Sequence, residues 1–255
     1  MRIANWNVNS ARTRVDRMTE FLHRHNIDVL AVQETKCKDE QFPYAPFEQM
    51  GYQVAHCGFN QWNGVAIISR VGIDDVQNHF PGQPGFNKDA TKEQTIEARA
   101  IGALCAGVRV WSLYVPNGRE IADAHYDYKL RWLYSLQAYV LSSPEEKMVL
   151  LGDYNIAPKD EHVWSLRAFE GKTHVTEPER QAFDSLLEAG LEIHSPQTGF
   201  SYWDYFQNRF ERGQGMLIDF QLARGLSSTH TFIDVDERRG KGASDHAPVV
   251  VDYNA

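Results

Sequence analysis

Met148-Val149-Leu150-Leu151-Gly152-Asp153-Tyr154-Asn155 starts as a buried apolar strand and ends on an acid and an amide two residues apart. The same design recurs three times along the chain. Arg2-Ile3-Ala4-Asn5-Trp6-Asn7-Val8-Asn9 ends on amides, and Asp28-Val29-Leu30-Ala31-Val32-Gln33-Glu34-Thr35 ends on an acid. Gly242-Ala243-Ser244-Asp245-His246-Ala247-Pro248 sets a carboxylate beside an imidazole just before Val249-Val250-Val251. Successive side chains on an extended backbone point to opposite faces, so an adjacent Asp and His reach one site only from a strand end or loop. Read alone, Ser244-Asp245-His246 suits a turn or a helix cap equally well. Together, four strands releasing oxygen donors at their ends describe a site for a hard cation, because Mg²⁺ prefers carboxylate and amide oxygens.

The chain has 255 residues, 42% hydrophobic and 24% charged, which is the balance of a globular protein with a real core. No apolar stretch approaches the ~20 residues needed to cross a bilayer, and no membrane partner is expected. The start runs directly from Met1-Arg2 into a strand, so no signal peptide is expected. Cys37, Cys57 and Cys105 form no paired framework, which fits structural thiols in a reducing cytoplasm. No Cys/His cluster points to zinc. The net charge of −8 argues mildly against a nucleic-acid partner, but several of the acids belong to the proposed cation site. Basic residues cluster at Arg12, Arg14 and Arg17 and again at Arg238-Arg239-Gly240-Lys241, either as solvated surface or as phosphate contacts.

Repeats, low-complexity segments and Pro/Gly/Ser-rich linkers are absent, so a single domain over residues 1–255 is expected. Val15, Met18, Phe21 and Leu22 have helical spacing and predict a helix near 13–25. Leu130, Leu133, Leu136 and Val140 predict a second, ending before Ser142-Ser143-Pro144. Thr176-Glu177-Pro178-Glu179 reads as a capping box with proline in the first turn, opening a helix with Phe183, Leu186 and Leu187 inward. Strands are expected at 28–33, 52–57, 64–69, 97–105, 108–114, 216–223 and 248–253. Strands and helices so mixed suggest sheets covered by helices.

Asn7-Val8-Asn9, Gln33-Glu34-Thr35-Lys36, Tyr114-Val115-Pro116-Asn117-Gly118, Gly152-Asp153-Tyr154-Asn155-Ile156, Phe200-Ser201-Tyr202-Trp203-Asp204-Tyr205 and Ser244-Asp245-His246-Ala247-Pro248 occur in this order. In that order the chain resembles the exonuclease III class of apurinic/apyrimidinic (AP) endonucleases, within the endonuclease/exonuclease/phosphatase superfamily. The resemblance implies a four-layer α/β sandwich, two packed mixed β-sheets flanked by helices, with the active site at one edge. It also implies Mg²⁺, with Mn²⁺ as substitute, held by Glu34, Asn7 and Asp245, with Asp153, Asn155 and His246 in the wider metal set.

The roles the resemblance implies fit the residues themselves. Glu34 follows Val29-Leu30-Ala31-Val32-Gln33, where an acid is costly to bury unless water or a positive partner meets it; otherwise it is a surface acid at a strand end. Asp153 and Asn155 share one side of an extended segment, so one can orient a water while the other donates to a phosphate oxygen; an Asx-turn is the alternative. His246, paired with Asp219, would stay protonated and donate to the scissile phosphate, unless Asp219 pairs with a structural arginine. Tyr114 is implied to place its hydroxyl on the phosphate, and Asn117, otherwise a turn residue, to contact DNA or the active site; Arg12, from the first basic cluster, is a candidate DNA contact. Trp203 and Phe200 either stack on a base or sugar and wall a pocket for a baseless nucleotide, or pack beneath their loop.

The pattern Asn-x-Gly-x-Arg-Ile-Asp, usual before the acid that Asp219 represents, is broken here by Gly213 and Leu217. That departure bears on local DNA contacts more than on hydrolysis. The expected function is a metal-dependent DNA-repair nuclease, a monomer. It would incise duplex DNA 5′ to abasic sites and trim blocked or normal 3′ ends. The alternatives are another phosphodiesterase or phosphatase of the superfamily, or a silent DNA-binding scaffold.

Overall fold

The computed structural model describes residues 1–254. Its strands are β1 (Arg2–Asn7), β2 (Val29–Gln33), β3 (Gln53–Cys57), β4 (Val65–Ser69), β5 (Asp74–Gln77), β6 (Ala100–Cys105), β7 (Val108–Tyr114), β8 (Met148–Asp153), β9 (Glu192–Ile193), β10 (Asp219–Arg224), β11 (Ser227–Ile233) and β12 (Val249–Asn254). The helices are α1 (Ala11–His25), α2 (Tyr44–Gln49), α3 (Ala124–Ser142) and α4 (Glu177–Glu188). The strands form two six-stranded mixed sheets, ordered β11-β12-β1-β2-β4-β3 and β5-β6-β7-β8-β10-β9. Each sheet has one parallel pair, β1 with β2 and β7 with β8, and the rest is antiparallel. The parallel pairs are the crossovers made by α1 and α3, as a parallel connection requires.

Both faces of the central strands are buried, which is why they read as continuous apolar runs. Ile3, Val29, Ala31, Val110, Val149, Leu151, Ala223 and Val251 fill the gap between the sheets. Trp6, Leu30 and Val32 pack outward with Met18, Phe21 and Leu22 of α1, while Leu150, Phe220 and Leu222 pack outward with Trp132, Leu136, Phe183 and Leu186 of α3 and α4. The architecture is the expected sandwich of two helix-covered sheets.

The two-residue period of a strand then decides what the gap holds at its end. Continuing the inward series Ile3, Asn5, Asn7 and Val149, Leu151, Asp153 brings Asn7 and Asp153 toward each other from different sheets. Val108, Val110, Ser112 and Tyr114 form a third such series, and Asp219, Gln221 and Ala223 a fourth.

Some boundaries differ from the sequence reading. The first helix begins at Ala11. The strand expected over 216–223 begins only at Asp219, because Met216 makes isolated bridges to Val163 and Tyr202 instead of joining the ladder. Asp219 therefore opens its strand. β5 and β11 were not expected: both lie at sheet edges and are largely exposed, so no apolar run marks them. The capping box at α4 forms as read, with Thr176 Oγ1 accepting from Glu179 N and the Glu179 carboxylate accepting from Thr176 N. No helix among the described residues is long and apolar enough to cross a membrane.

Candidate active site

Six strand ends meet at one edge of the sandwich. Register pairs Asn7 with Gln33 in one sheet, and Tyr114 with Asp153 and Asp153 with Asp219 in the other. The loop carrying Ser244, Asp245 and His246 leads into β12 beside β1. Asn7 joins the two sheets: its Nδ2 donates to Glu34 Oε1 at 2.9 Å and to Asp153 Oδ2 at 3.0 Å. Its own Oδ1 accepts from Asn9 N.

Glu34 lies one residue beyond the inward-facing Gln33, and a regular strand would turn its side chain to the opposite face. A left-handed backbone, φ 53°, redirects it toward the gap. Lys36, also left-handed, places Nζ 2.8 Å from Glu34 Oε2. Burial would raise the Glu34 pKa, but Lys36 and the Asn7 amide more than offset it, holding the carboxyl below its ordinary value. The acid is thus partnered, as its position demanded.

Asp153 is buried, accepting from Asn155 N at 2.9 Å and from the Asn7 amide. Burial, reinforced by Asp219 and Glu34, pushes its pKa up to about 7 against the pull of His246. Asn155 has φ 52°, so the segment is not extended; the Asx-type bond to Asp153 forms, and it is this turn that brings the two side chains together. Asn155 Nδ2 donates to Val115 O at 3.0 Å, and its Oδ1 accepts from Asn117 Nδ2 at 3.0 Å.

His246 and Asp219 pair as expected, with Nδ1 2.8 Å from Asp219 Oδ2, while Nε2 lies 3.8 Å from Asp153 Oδ2. Ser201 Oγ donates to the same Asp219 oxygen at 2.6 Å. Burial opposes charge on His246, but Asp219 and Asp153 outweigh it and push the imidazole up to about 10. A protonated ring offers no lone pair, so in this charge state His246 acts as a hydrogen-bond donor. Tyr114 completes the wall: burial, then Glu34, push its phenol well above its usual value, with the Arg99 guanidinium 4.8 Å over the ring.

Glu34, Tyr114, Asn117, Asp153, Asn155, Asp245 and His246 line one cavity of about 150 Å³, together with His174, Tyr202, Met216 and Ile218. Trp203 and Phe200 do not line it. Trp203 is 5% exposed and packs edge-on against Phe200 and Phe210, facing a different cavity, while its backbone N–H donates to Asp245 O. The apolar wall is Tyr202, Met216 and Ile218, and the Tyr202 ring lies 4.8 Å from that of His246. Arg12 is exposed beside Lys36, Lys38 and Trp62, whereas Arg14 and Arg17 are spent on carbonyls of the 237–243 loop. Those two arginines are structural ties.

The donor set suits a hard divalent ion. Glu34, Asp153, Asp219 and Asp245, when ionised, exceed Lys36 and protonated His246 by two charges, and buried Asp219 Oδ1 has no hydrogen-bond partner among the described residues. Among the described residues no three carboxylate, imidazole or thiol groups already close on one point. The carboxylates close on the Asn7 amide instead. A cation drawn to Glu34 would compete with the Asn7 amide hydrogen and with Lys36 Nζ, which hold that carboxylate.

Two features escaped sequence reading. His174 Nε2 lies 3.2 Å from both Asn155 Oδ1 and Asn117 Nδ2, in a loop with no local signal. Lys129 is fully buried, donating to Asn155 O at 2.6 Å, to Asn117 O at 3.3 Å and to Glu179 Oε1 at 2.5 Å. Its helical spacing with Trp132, Leu133 and Leu136 marks it as facing the core; Leu130, the residue chosen from sequence, is only half-buried. Lys129→Met leaves Glu179 as an uncompensated buried charge and is expected to cost about 3–5 kcal/mol in urea unfolding. A loss below about 1 kcal/mol would show that the pair is not needed to hold this floor.

The profile of the Endonuclease/Exonuclease/phosphatase family matches residues 4–246. The exodeoxyribonuclease III of Haemophilus influenzae is 27% identical, over 99% of this chain and 100% of that protein. An AP endonuclease structure from Archaeoglobus fulgidus superposes with a TM-score of 0.91 at 32% identity, covering 100% of both chains. The 3′ phosphatase NExo from Neisseria, solved with a product DNA hairpin, gives 0.90 at 31% identity, again covering 100% of both. The family is divalent-metal dependent. With its strand ends, its carboxylate–amide–imidazole cluster and this match over nearly its whole length, the chain belongs to the Endonuclease/Exonuclease/phosphatase family, in its exonuclease III class.

Proposed function

We propose that this chain is a single-domain DNA-repair nuclease, monomeric and cytoplasmic, that hydrolyses phosphodiesters of duplex DNA 5′ to abasic sites and trims blocked 3′ ends. The observation that carries the reading is the reach of Asn7 from one sheet to Asp153 of the other, with Glu34 and His246 against the same two groups. Glu34, Asn7 and Asp245 are the residues that would hold Mg²⁺, or Mn²⁺ in its place. When bound, the ion would polarise phosphate oxygens and offset their charge.

Asp153 orients a water and accepts its proton as the water oxygen attacks phosphorus in line. The bond from phosphorus to O3′ breaks, and O3′ takes a proton from solvent to leave a 3′-hydroxyl. The His246 imidazolium, the Tyr114 hydroxyl and the Asn155 amide supply donors to the phosphate oxygens as negative charge accumulates. Tyr202, Met216 and Ile218 offer an apolar surface to a sugar that lacks its base. Arg12, exposed near Lys36, is a candidate phosphate contact. The test is cleavage of end-labelled abasic, 3′-phosphate and intact duplexes, and of inositol phosphates, with Mg²⁺ or EDTA. Mg²⁺-dependent incision at the abasic site is expected; activity confined to inositol phosphates or persisting in EDTA would overturn the reading.

One observation favours a second reading, in which 3′-end trimming outweighs internal incision. The His174 imidazole stands between Asn117 and Asn155 at the wall of a cavity of about 150 Å³, where an internal abasic sugar with strands on both sides would need room. His174→Ala is then expected to raise abasic incision relative to 3′-phosphate removal by about tenfold, roughly the worth of 1.4 kcal/mol of relieved contact. An unchanged ratio would remove His174 from that role.

A further inference from the structure

We propose that Thr35, His56 and Asp39 form a positioning chain that holds the Glu34 carboxylate in place and thereby sets the affinity of the site for a divalent cation. The proposal rests on the reading of Glu34 as a cation ligand, and on nothing about DNA.

Thr35 stands between two non-glycine residues in the left-handed region, Glu34 and Lys36, both at φ 53°. Such a conformation persists only where its surroundings over-determine it. The main chain supplies part of the constraint, since Thr35 N donates to Gly64 O at 3.1 Å, Lys36 N to Asn63 O at 2.9 Å, and Ala11 N to Thr35 O at 3.0 Å. The side chain supplies the rest. Thr35 Oγ1 lies 2.8 Å from His56 Nε2, and both residues are buried.

Burial outweighs Asp39 and pushes the His56 ring down to about 4, so it is neutral near pH 7. In the neutral tautomer with its hydrogen on Nδ1, Nε2 is free to accept the Thr35 hydroxyl proton. Asp39 Oδ1 lies 2.8 Å from Nδ1 without hydrogen-bond alignment, and is itself fixed by the Gly58 N–H at 2.8 Å. Phe42 stacks on the imidazole with centroids 4.5 Å apart, so the ring has little freedom to turn. Gly64 closes the far side: a Cβ there would lie 2.1 Å from Thr35 Oγ1. None of Thr35, His56 or Asp39 lines the carboxylate cavity, so the three can act on it only through the turn that carries Glu34. Groups that orient a metal ligand from behind typically change metal affinity 10- to 100-fold when removed.

The test is a Mn²⁺ titration of the free protein, without DNA, following unbound Mn²⁺ by EPR. Thr35→Val keeps the volume and removes the hydroxyl; it is expected to weaken Mn²⁺ binding about 10- to 100-fold, whereas Thr35→Ser stays within about threefold of the wild type. His56→Phe should match Thr35→Val; if it fails to fold, as judged by thermal melting in EDTA, the Val/Ser pair decides. Wild-type affinity in Thr35→Val, with affinity lost in Glu34→Gln, would overturn the positioning chain alone. Wild-type affinity in Glu34→Gln would overturn the assignment of the site beneath it.

Discussion

Asp153→Asn is expected to lower kcat for abasic-duplex cleavage by roughly 10³–10⁴-fold, the upper part of the range for a positioned general base. The reason lies in the residue's surroundings. Asp153 is buried where the two sheets meet, near Asp219 and Glu34, and its pKa is pushed up to about 7, so its ionised form is costly beside those acids. An amide of the same shape removes that cost along with the proton acceptor. The variant should therefore melt, in EDTA at pH 8, no lower than the wild type. Activity lost with stability kept is the pattern of a group retained for chemistry at the expense of stability. A variant within tenfold of wild-type kcat would remove Asp153 from the reaction, and one that melts far lower would make it a structural acid.

His246→Ala is expected to cost about 10²–10⁴-fold in rate, through loss of a donor to the phosphate. It also changes the dependence of stability on pH. The folded pKa of His246 is raised from 6.5 to about 10, so its contribution is fully present below pH 6.5 and is lost as pH rises through 10. The raised Asp153 acts in the same direction over a lower window, from its ordinary 3.8 up to about 7. In EDTA the wild type should lose on the order of a few kcal/mol between pH 6.5 and 10. The variant should show a shallower slope there. Parallel slopes in urea titrations across that interval would mean that the Asp219–His246 pair is not charged in the folded protein.

How much of this was legible in the chain depended on where the backbone stays regular. Asn7, Asp153 and Asp219 fall on inward strand positions, so period-two reading finds them at once. The His246–Asp219 pair was also legible, because an acid in an apolar setting demands a partner. Glu34 and Asn155 depend on left-handed turns that no alternation encodes, and for Asn155 the expected shared face of an extended strand gave way to an Asx-type turn. For Trp203 the sequence left stacking on a nucleotide and packing beneath its loop both open; the ring packs on Phe200 and Phe210, and the neighbour, Tyr202, lines the cavity. The acidic net charge misleads for a related reason, since four of the acids crowd this one edge while Arg12, Lys36 and Lys38 cluster beside it. His174 and the Thr35–His56 contact arise from long-range packing and had no local signature.

The account's central claim is that polar ends of both sheets grip one cation against one DNA linkage. Anomalous scattering from crystals of the Asp153→Asn variant with an abasic duplex and Mn²⁺ tests it most directly. The account expects a peak bonded to the Glu34 carboxylate and to an oxygen of the phosphate beside His246. A phosphate seated against His246 with the Mn²⁺ peak absent from Glu34, or bound elsewhere on the chain, would contradict it.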